Sequence, residues 1–288
     1  QCYYKYFIDW RIVISNQGEI VKIIDLNLEN ARVYIPIVSN SLGDTLAWFP
    51  YLKEFADKHK CKVITSTNFN FLFKETYPDI EFVERNTRVE NINAHYNISW
   101  YYRNNIINEH FHKNDPMTQA MQKTATDILG LEYKEIKPIL KLPIVPKEDI
   151  IGLGIHSTLQ AKYWNNPNGW SEVSEFIKSI NYKPLILSKE KDGHNGNFYP
   201  KGVGLSWLAW ACNIPLILIS GFSEYYTEME DCIRIEGDTF KCKGCFNRYK
   251  LVAHDWNWCP DHKGTDRQFE CTKSISSDKV IEKIKQII

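Results

Sequence analysis

The sequence contains no uninterrupted run of about twenty apolar residues, the length that a membrane-spanning helix requires. Internal repeats and low-complexity tracts are also absent. The first residues lack the basic stretch followed by an apolar one that is typical of a signal peptide, and the chain does not begin with Met, so we expect residues upstream of Gln1. These absences argue against a membrane span, a visible signal peptide and a repeat protein.

An excess of either charge is missing as well. The 35 Lys and Arg residues balance 35 Asp and Glu residues, so the formal net charge is zero at pH 7. Proteins that bind nucleic acid through its phosphates usually carry a basic surface, so no nucleic-acid partner is expected. The alternative is a local basic surface that docks nucleic acid, formed by Lys241, Lys243, Arg248 and Lys250.

The composition indicates a large core and a ring-lined cleft. The 288 residues suffice for about two domains, and 43% of them are hydrophobic. Nine Trp and 16 Tyr are many for this length, and we expect some of these rings to stack on sugars or bases. Eight Cys, four of them in a metal-binding pattern, fit a reducing cytoplasm better than a disulfide framework.

The metal-binding pattern lies near the end of the chain, in residues 240–273. A C-x2-C pair, Cys242 and Cys245, is followed at longer spacings by Cys259 and Cys271. Two thiolates separated by two residues can face one ion, and a distant pair can complete a tetrahedron around it. Four sulfur ligands suit zinc or iron and suit hard cations badly. The pattern therefore predicts a metal finger that holds zinc or iron.

Two alternatives remain open for this finger. His254 or His262 is a candidate to replace one cysteine, or the four thiols are simply reduced cysteines in an aromatic-rich tail. A site closed by four protein ligands leaves no position for a substrate. Structural metal binding can supply on the order of 10 kcal/mol of folding free energy. We therefore expect the finger to brace the fold and the catalytic residues to lie elsewhere.

Two α/β units follow a short N-terminal β portion. Residues 1–30 alternate apolar and polar side chains around a turn at residues 16–18, which predicts a hairpin. Residues 31–140 read as strand, loop, helix (residues 45–59) and strand, with further helices over residues 69–77 and 117–129, the last closed by Gly130. Residues 141–288 form a second such unit that includes the finger. A Pro-containing linker at residues 136–147 marks the boundary. This order predicts an α/β fold with two Rossmann-like domains and a ligand in the cleft between them.

Asp44 is the candidate catalytic residue of the first unit. It lies where the first strand of that unit leads into a helix, on the side where such sheets bind ligands. One interpretation is an N-cap, whose carboxylate accepts the first free N–H groups of the helix. The other is a general base, kept ionised by the positive end of the helix. Spacing alone leaves both interpretations open.

The second unit offers groups that suit a diphosphate. Ser157, Thr158 and Lys162 follow its first strand and supply two hydroxyls and a mobile cation, although a solvated loop has the same composition. A second candidate anion site is the helix start whose free N–H groups point outward, formed by Gly204, Leu205 and Ser206. Three tryptophans either stack on the donor or fill the core, with core favoured for the last: Trp164, Trp207 and Trp210.

Four segments resemble, in the same order, the bacterial autotransporter heptosyltransferases, which are related to the lipopolysaccharide heptosyltransferases. They are residues 42–50 (LGDTLAWFP), 157–167 (STLQAKYWNNP), 204–210 (GLSWLAW) and 255–260 (DWNWCP). The matching blocks extend from about residue 32 to residue 276. The joint occurrence of a four-Cys finger and the Gly-Asp-Thr loop makes the resemblance specific.

The resemblance implies a two-domain GT-B enzyme that transfers heptose from ADP-heptose to serine hydroxyls of autotransporter adhesins in the cytoplasm. In that family the Asp matching Asp44 is the general base. The Lys matching Lys162 and the Gly-Leu-Ser loop at residues 204–206 hold the donor's diphosphate. The finger binds structural iron, with zinc as the alternative, and the enzyme forms a large homo-oligomer. Such an inverting displacement needs a base and a stabilised leaving group, and no catalytic metal.

The sequence departs from the family in two places. The N-terminal β portion is shorter, and a further helix and strand are expected near residues 202–204, where Ser188 instead leads through one loop to the Gly-Leu-Ser helix. A real deletion there would affect donor binding.

Two other functions remain open: a related glycosyltransferase with another nucleotide sugar or a carbohydrate acceptor, and a non-enzymatic interaction module built on the metal knuckle.

Overall fold

The computed structural model describes residues 4–103, 106–146, 148–187, 204–238, 242–252 and 255–288. The strands in these ranges are β1 (Arg11–Asn16), β2 (Glu19–Asp25), β3 (Arg32–Tyr34), β4 (Lys62–Thr65), β5 (Glu81–Phe82), β6 (Ala94–His95), β7 (Tyr102–Arg103), β8 (Ile106–Ile107), β9 (Ile150–Leu153), β10 (Lys183–Ile186), β11 (Ile217–Ile219) and β12 (Ile233–Ile235). The α-helices are α1 (Leu42–Trp48), α2 (Pro50–His59), α3 (Met121–Leu129), α4 (Gly169–Ser179), α5 (Leu205–Ala211), α6 (Cys245–Arg248), α7 (Glu270–Lys273) and α8 (Ser277–Lys285).

The N-terminal hairpin extends away from the core. β1 and β2 pair antiparallel through a turn at Gln17 and Gly18, as the sequence predicts. Every residue of both strands is exposed, including apolar side chains such as Ile12, Val21 and Ile23. A two-stranded sheet is marginally stable in water by itself, so this apolar ribbon is suited to packing against another surface.

The first half of the fold contains one complete parallel sheet. Its strand order is β5-β4-β3-β6, with Val33 of β3 opposite Val63 of β4. Ile35 and Ile37 follow β3 and have no exposed surface. The helices α1, α2 and α3 contact one another, and α2 contacts β4. These contacts close a dry core beneath the loops that lead to the cleft.

Two helices of the first half differ from the sequence-based expectation. The helix expected over residues 45–59 is divided into α1 and α2, because Pro50 has no N–H to continue the helical ladder and instead begins α2. The helix expected over residues 69–77 is only a short 3₁₀ turn at Asn70–Leu72. By contrast, α3 ends at Gly130, as predicted.

The second half contains two separate pairs of parallel strands. β9 pairs with β10, and β11 pairs with β12; within the described ranges no ladder joins β9 to β11. Val173 and Ile177 of α4 pack with Val280 of α8 in a smaller core. Leu185 and Ile186 of β10 remain exposed. The expected deletion falls at residues 188–203, which lie outside the described residues.

The fold is therefore mixed α/β with parallel sheets in both halves, as predicted. The boundaries drawn at residues 30 and 140 stay predictions, because nothing in the fold tests them directly. In the described part of the chain, no helix has the length and apolar character needed to cross a bilayer.

Candidate functional site

A cavity of about 1720 Å³ lies between the two halves. It exceeds the roughly 300–1,000 Å³ of typical small-molecule sites. Its lining includes Asp44, Ser157, Thr158, Lys162, Leu205, Ser206 and Trp207. Gly204 contacts Gly43 at the edge of this cavity. Thus the candidate residues from three separate segments surround one space, and part of that space also extends between β9 and β11.

Asp44 is not the cap of its helix. The N-cap of α1 is Ser41, whose hydroxyl oxygen accepts the backbone N–H of Asp44 at 3.4 Å. Asp44 is the third residue of the helix, and none of the described hydrogen bonds takes its carboxylate to a helical N–H. The N-cap interpretation is therefore wrong, because a serine three residues earlier already fills that position. The Asp44 carboxylate is left to face the cleft.

The surroundings of Asp44 make it a stronger base than an exposed aspartate. Burial raises the pKa of the Asp44 carboxyl above its usual 3.8. Hydrogen bonds from Ser39 and Trp100 and the positive charge of Lys162 oppose this increase. A carboxyl whose pKa is raised is a stronger base once it is ionised, which suits it to accept a proton during a reaction.

Lys162 approaches the same space from the second half. Its Nζ lies 5.0 Å from the centre of the Phe222 ring, which orients the ammonium group. Burial within the cleft lowers the pKa of Lys162 below its usual 10.5, and the negative charge of Asp44 opposes the decrease. These two residues interact electrostatically, yet no direct ion pair joins them within the described residues. Both side chains line the same cavity, so one ligand can contact both of them.

Two glycines bring the halves together at the cleft. A Cβ on Gly204 would lie 2.2 Å from the backbone N of Gly43 and 2.7 Å from its Cα, and a Cβ on Gly43 would lie 3.0 Å from the Trp207 ring. The backbone approach at Gly204 excludes any side chain. This contact joins the start of α1, which carries Asp44, to the start of α5. It therefore sets the distance between Asp44 and the loop at residues 204–206.

The three candidate tryptophans divide between core and cleft. The indole N–H of Trp164 donates to the carbonyl of Ile275 at 2.9 Å, and the ring is buried. Trp210 is 1% exposed, which agrees with its assignment to the core. Trp207 packs edge-on against Trp210 and lines the cavity, with 8% of its surface exposed. Trp164 also lines the cavity, so Trp164 and Trp207 are placed to meet a ligand and Trp210 is not.

Several residues of the site have no counterpart in the sequence-based candidates. Ser39 lies two residues before Ser41, the cap of α1, so its position in the loop next to Asp44 could have marked it as a candidate site residue. Trp100 lies 56 residues from Asp44 and carries no local signal. Glu228 lines the cavity, pairs with Arg234 and accepts a hydrogen bond from Ser220 at 3.1 Å. Such long-range partners become visible only in the folded chain.

The four predicted metal ligands lie close enough to affect the ionisation of one another. Cys245, Cys259 and Cys271 are buried, Cys242 is half-buried, and all four are free thiols. Burial raises the pKa of Cys271 to about 12, and the other three thiols add to the increase. Thiols that oppose one another's ionisation are stabilised as thiolates by a bound cation. The donor set thus fits a soft or borderline metal ion.

The C-x2-C knuckle depends on a glycine. Gly244 has a φ of 66°, in the left-handed region that few residues other than glycine adopt. A Cβ there would also lie 2.2 Å from Oε1 of Glu224. The Lys-Gly pair therefore permits the tight turn between Cys242 and Cys245.

A second donor set overlaps the four thiols. Ligand atoms of Cys242, His262 and Glu270 lie within 4.8 Å of one another, whereas no three of the four thiols meet this limit within the described residues. Glu270 also accepts the backbone N–H of Cys242 at 3.2 Å and pairs with Arg267. His262 thus stays a geometrically suitable alternative ligand, while His254 lies outside the described residues.

The candidate basic surface near the finger is largely paired. Lys243 lies 3.0 Å from Glu236, and Arg248 lies 2.8 Å from Asp261. Lys241 lies outside the described residues. Because carboxylates accompany these cations, the positive charge that a nucleic-acid backbone requires is partly neutralised.

No family model matches the chain, but curated relatives do. The autotransporter heptosyltransferase Aah of Escherichia coli is 33% identical over 315 residues, covering 96% of this chain and 80% of Aah. TibC of E. coli O78:H11 is 34% identical over 317 residues, covering 96% of this chain and 77% of TibC. Both aligned regions are longer than the 288 residues of this chain, so the relatives carry residues without a counterpart here.

Solved structures give the same comparison. The crystal structure of TibC, an iron-containing dodecameric glycosyltransferase, matches with a TM-score of 0.88 and 31% identity, covering 98% of this chain and 83% of TibC. TibC in complex with ADP-D-β-D-heptose matches equally well. A family 9 glycosyltransferase of Veillonella parvula shares the fold at a TM-score of 0.59 and 12% identity, covering 91% of this chain and 98% of that protein.

Proposed function

The chain belongs to the autotransporter heptosyltransferases, and from this membership we propose an inverting glycosyltransferase of the GT-B type. The proposed reaction transfers heptose from ADP-heptose to serine hydroxyls of an autotransporter adhesin in the cytoplasm. One observation carries the proposal: the Asp44 carboxylate and the Lys162 ammonium enter one cleft from opposite halves. The reaction needs a base for the acceptor and a cation for the leaving group, on opposite sides of the sugar.

The proposed reaction is a single displacement. Asp44 takes the proton of the serine hydroxyl as the serine oxygen uses an electron pair to bond the anomeric carbon. The bond from that carbon to the diphosphate breaks at the same time, and its electron pair leaves with ADP. Lys162 and the hydroxyls of Ser157, Thr158 and Ser206 stabilise the growing negative charge. Attack from the face opposite the leaving group inverts the configuration.

The proposed metal is a structural iron ion, with zinc as the alternative. Cys242, Cys245, Cys259 and Cys271 would hold it, and their buried, mutually repelling thiols support this assignment. The ion would supply folding free energy and no chemistry at the cleft. Elemental analysis of the purified protein distinguishes iron from zinc.

A homo-oligomer is also proposed. Its support is the dodecameric state of the related TibC, together with the exposed apolar hairpin of this chain. Ile12, Val13 and Ile20 of that hairpin are each at least half exposed. A second copy of the chain would remove such surface from water. Light scattering of the purified protein measures the assembly.

The test of the proposed function is transfer to an adhesin that is co-expressed with this protein. Mass spectrometry is expected to find heptose on serines of the adhesin. An Asp44→Asn variant should lower the rate by about 10²–10⁴-fold while its melting temperature and metal content stay unchanged. Asp57→Asn is the matched control, since Asp57 is an exposed residue of α2 paired with Lys53. Undiminished transfer by Asp44→Asn overturns the proposal, and a different added mass identifies another sugar.

A further inference from the structure

The two oxygens of the Asp44 carboxylate have different surroundings. The Ser39 hydroxyl donates to Oδ2 at 2.5 Å, and the Trp100 indole N–H donates to the same oxygen at 3.0 Å. Within the described residues no protein group donates to Oδ1. Both protein hydrogen bonds therefore converge on a single oxygen and leave the other available to a ligand.

The two donors are themselves held in place. The Ser39 oxygen accepts the backbone N–H of Ser41 at 3.0 Å, which orients its own hydrogen toward Asp44. The Trp100 ring packs on Trp48 with centroids 5.5 Å apart. Trp48 is fully buried and donates its indole N–H to the carbonyl of Met121 at 2.9 Å. An indole is only a donor, so Trp100 interacts with the ionised carboxylate and never competes for its proton.

We infer that Ser39 and Trp100 are positioning residues: they occupy Oδ2 and thereby assign the acceptor's proton to Oδ1. The inference rests on the proposed function, in which Asp44 is the base. A carboxylate fixed at one oxygen cannot rotate away from the acceptor hydroxyl. Preorganisation of this kind lowers the barrier without any contact to the substrate.

Trp100→Phe tests the role of the indole N–H, because phenylalanine keeps an aromatic ring and removes the donor. Loss of a hydrogen bond to a charged group should reduce kcat by about 10- to 100-fold. The acid limb of the kcat/KM profile should move to higher pH by about one unit, since the ionised carboxylate loses a stabilising donor. The affinity for ADP should remain within twofold of the unmodified protein. A reduced kcat with an unmoved acid limb would overturn the inference.

Ser39 supplies an independent test if the tryptophan variant does not fold. Ser39→Ala removes the hydroxyl and should move the acid limb upward, whereas Ser39→Thr keeps the hydroxyl and should restore the original position. Equal profiles for the alanine and threonine variants contradict the inference. Retained transfer by Asp44→Asn would instead overturn the proposed function, because that variant removes the proposed base itself. Failure of the inference about Ser39 and Trp100 is therefore distinguishable from failure of the proposed function.

Discussion

The two halves of this molecule differ in how completely their sheets are built. In the first half, four strands form one parallel sheet, and the adjoining Ile35 has no exposed surface. In the described part of the second half, four strands form two separate pairs, and Ile186 is 58% exposed. The proposed base therefore lies beside a sheet that belongs to its own half. In the described part of the chain, the proposed donor side also relies on contacts beyond its sheets, namely the glycine contact with α1 and the proposed metal finger.

Removal of the metal is expected to have the largest effect and to act on the second half. Cys271→Ser removes one proposed ligand from a site whose metal can supply on the order of 10 kcal/mol of folding free energy. Hydrogen exchange should show lost protection in α4 and α8 with retained protection in β3 and β4. Cys61→Ser is the control, because Cys61 is a free thiol of the first half. Equal losses in both halves would contradict the comparison.

Matched core truncations compare the two sheets directly. Ile35→Ala removes a fully buried side chain and should cost about 2–5 kcal/mol of unfolding free energy. Ile186→Ala removes a largely exposed one and should cost about 0.5 kcal/mol or less. Urea unfolding of the two variants measures the difference. Equal costs would indicate that β10 is buried in the protein in solution.

Gly204→Ala separates the two halves at their contact. Its methyl group would lie 2.2 Å from the backbone of Gly43, so either α1 or α5 must move. Displacement of the base by about 1 Å should lower kcat/KM by about 10²-fold. The matched control is Gly154→Ala, whose methyl group would meet only Leu205, at 3.7 Å. Similar rates for both variants would show that the glycine contact does not position the site.

The pH dependence of transfer should show the smallest effect and involve one residue from each half. Asp44 acts when deprotonated, so its raised pKa places the acid limb of the profile above 3.8. Lys162 acts when protonated, so its lowered pKa places the alkaline limb below 10.5. The expected pH profile is bell-shaped, and its two limbs lie closer together than the usual pKa values of aspartate and lysine would place them. Lys162→Arg should move only the alkaline limb, and movement of both limbs would contradict this assignment.

Local patterns in the sequence predict much of the fold. The turn at residues 16–18 and the end of α3 at Gly130 follow from short-range backbone preferences. The candidate residues around the cleft follow from the rule that parallel sheets bind ligands where their strands end. The division of the second sheet depends on strand pairing between distant segments, which no local pattern encodes.

The contacts made by the site residues are likewise harder to predict from local sequence patterns than the residues themselves. Asp44 and Lys162 are recognisable because each follows shortly after a strand, Asp44 in the first turn of α1 and Lys162 in a 3₁₀ turn after β9. The partners of Asp44 are less accessible to sequence reasoning. Trp100 reaches it only because the Trp48 ring packs beneath the indole. The Gly43–Gly204 approach likewise depends on how α1 and α5 meet, so neither residue shows its role in isolation.

The affinity for ADP of two single variants tests the central claim most directly. If Lys162 holds the leaving group and Asp44 acts only on the acceptor, Lys162→Met should weaken ADP binding by about tenfold or more, as expected when a charge-assisted contact is lost. Asp44→Asn should bind ADP as tightly as the unmodified protein. Calorimetric titration measures both. Unchanged binding by Lys162→Met, or an equal loss for Asp44→Asn, would contradict the division of roles across the cleft.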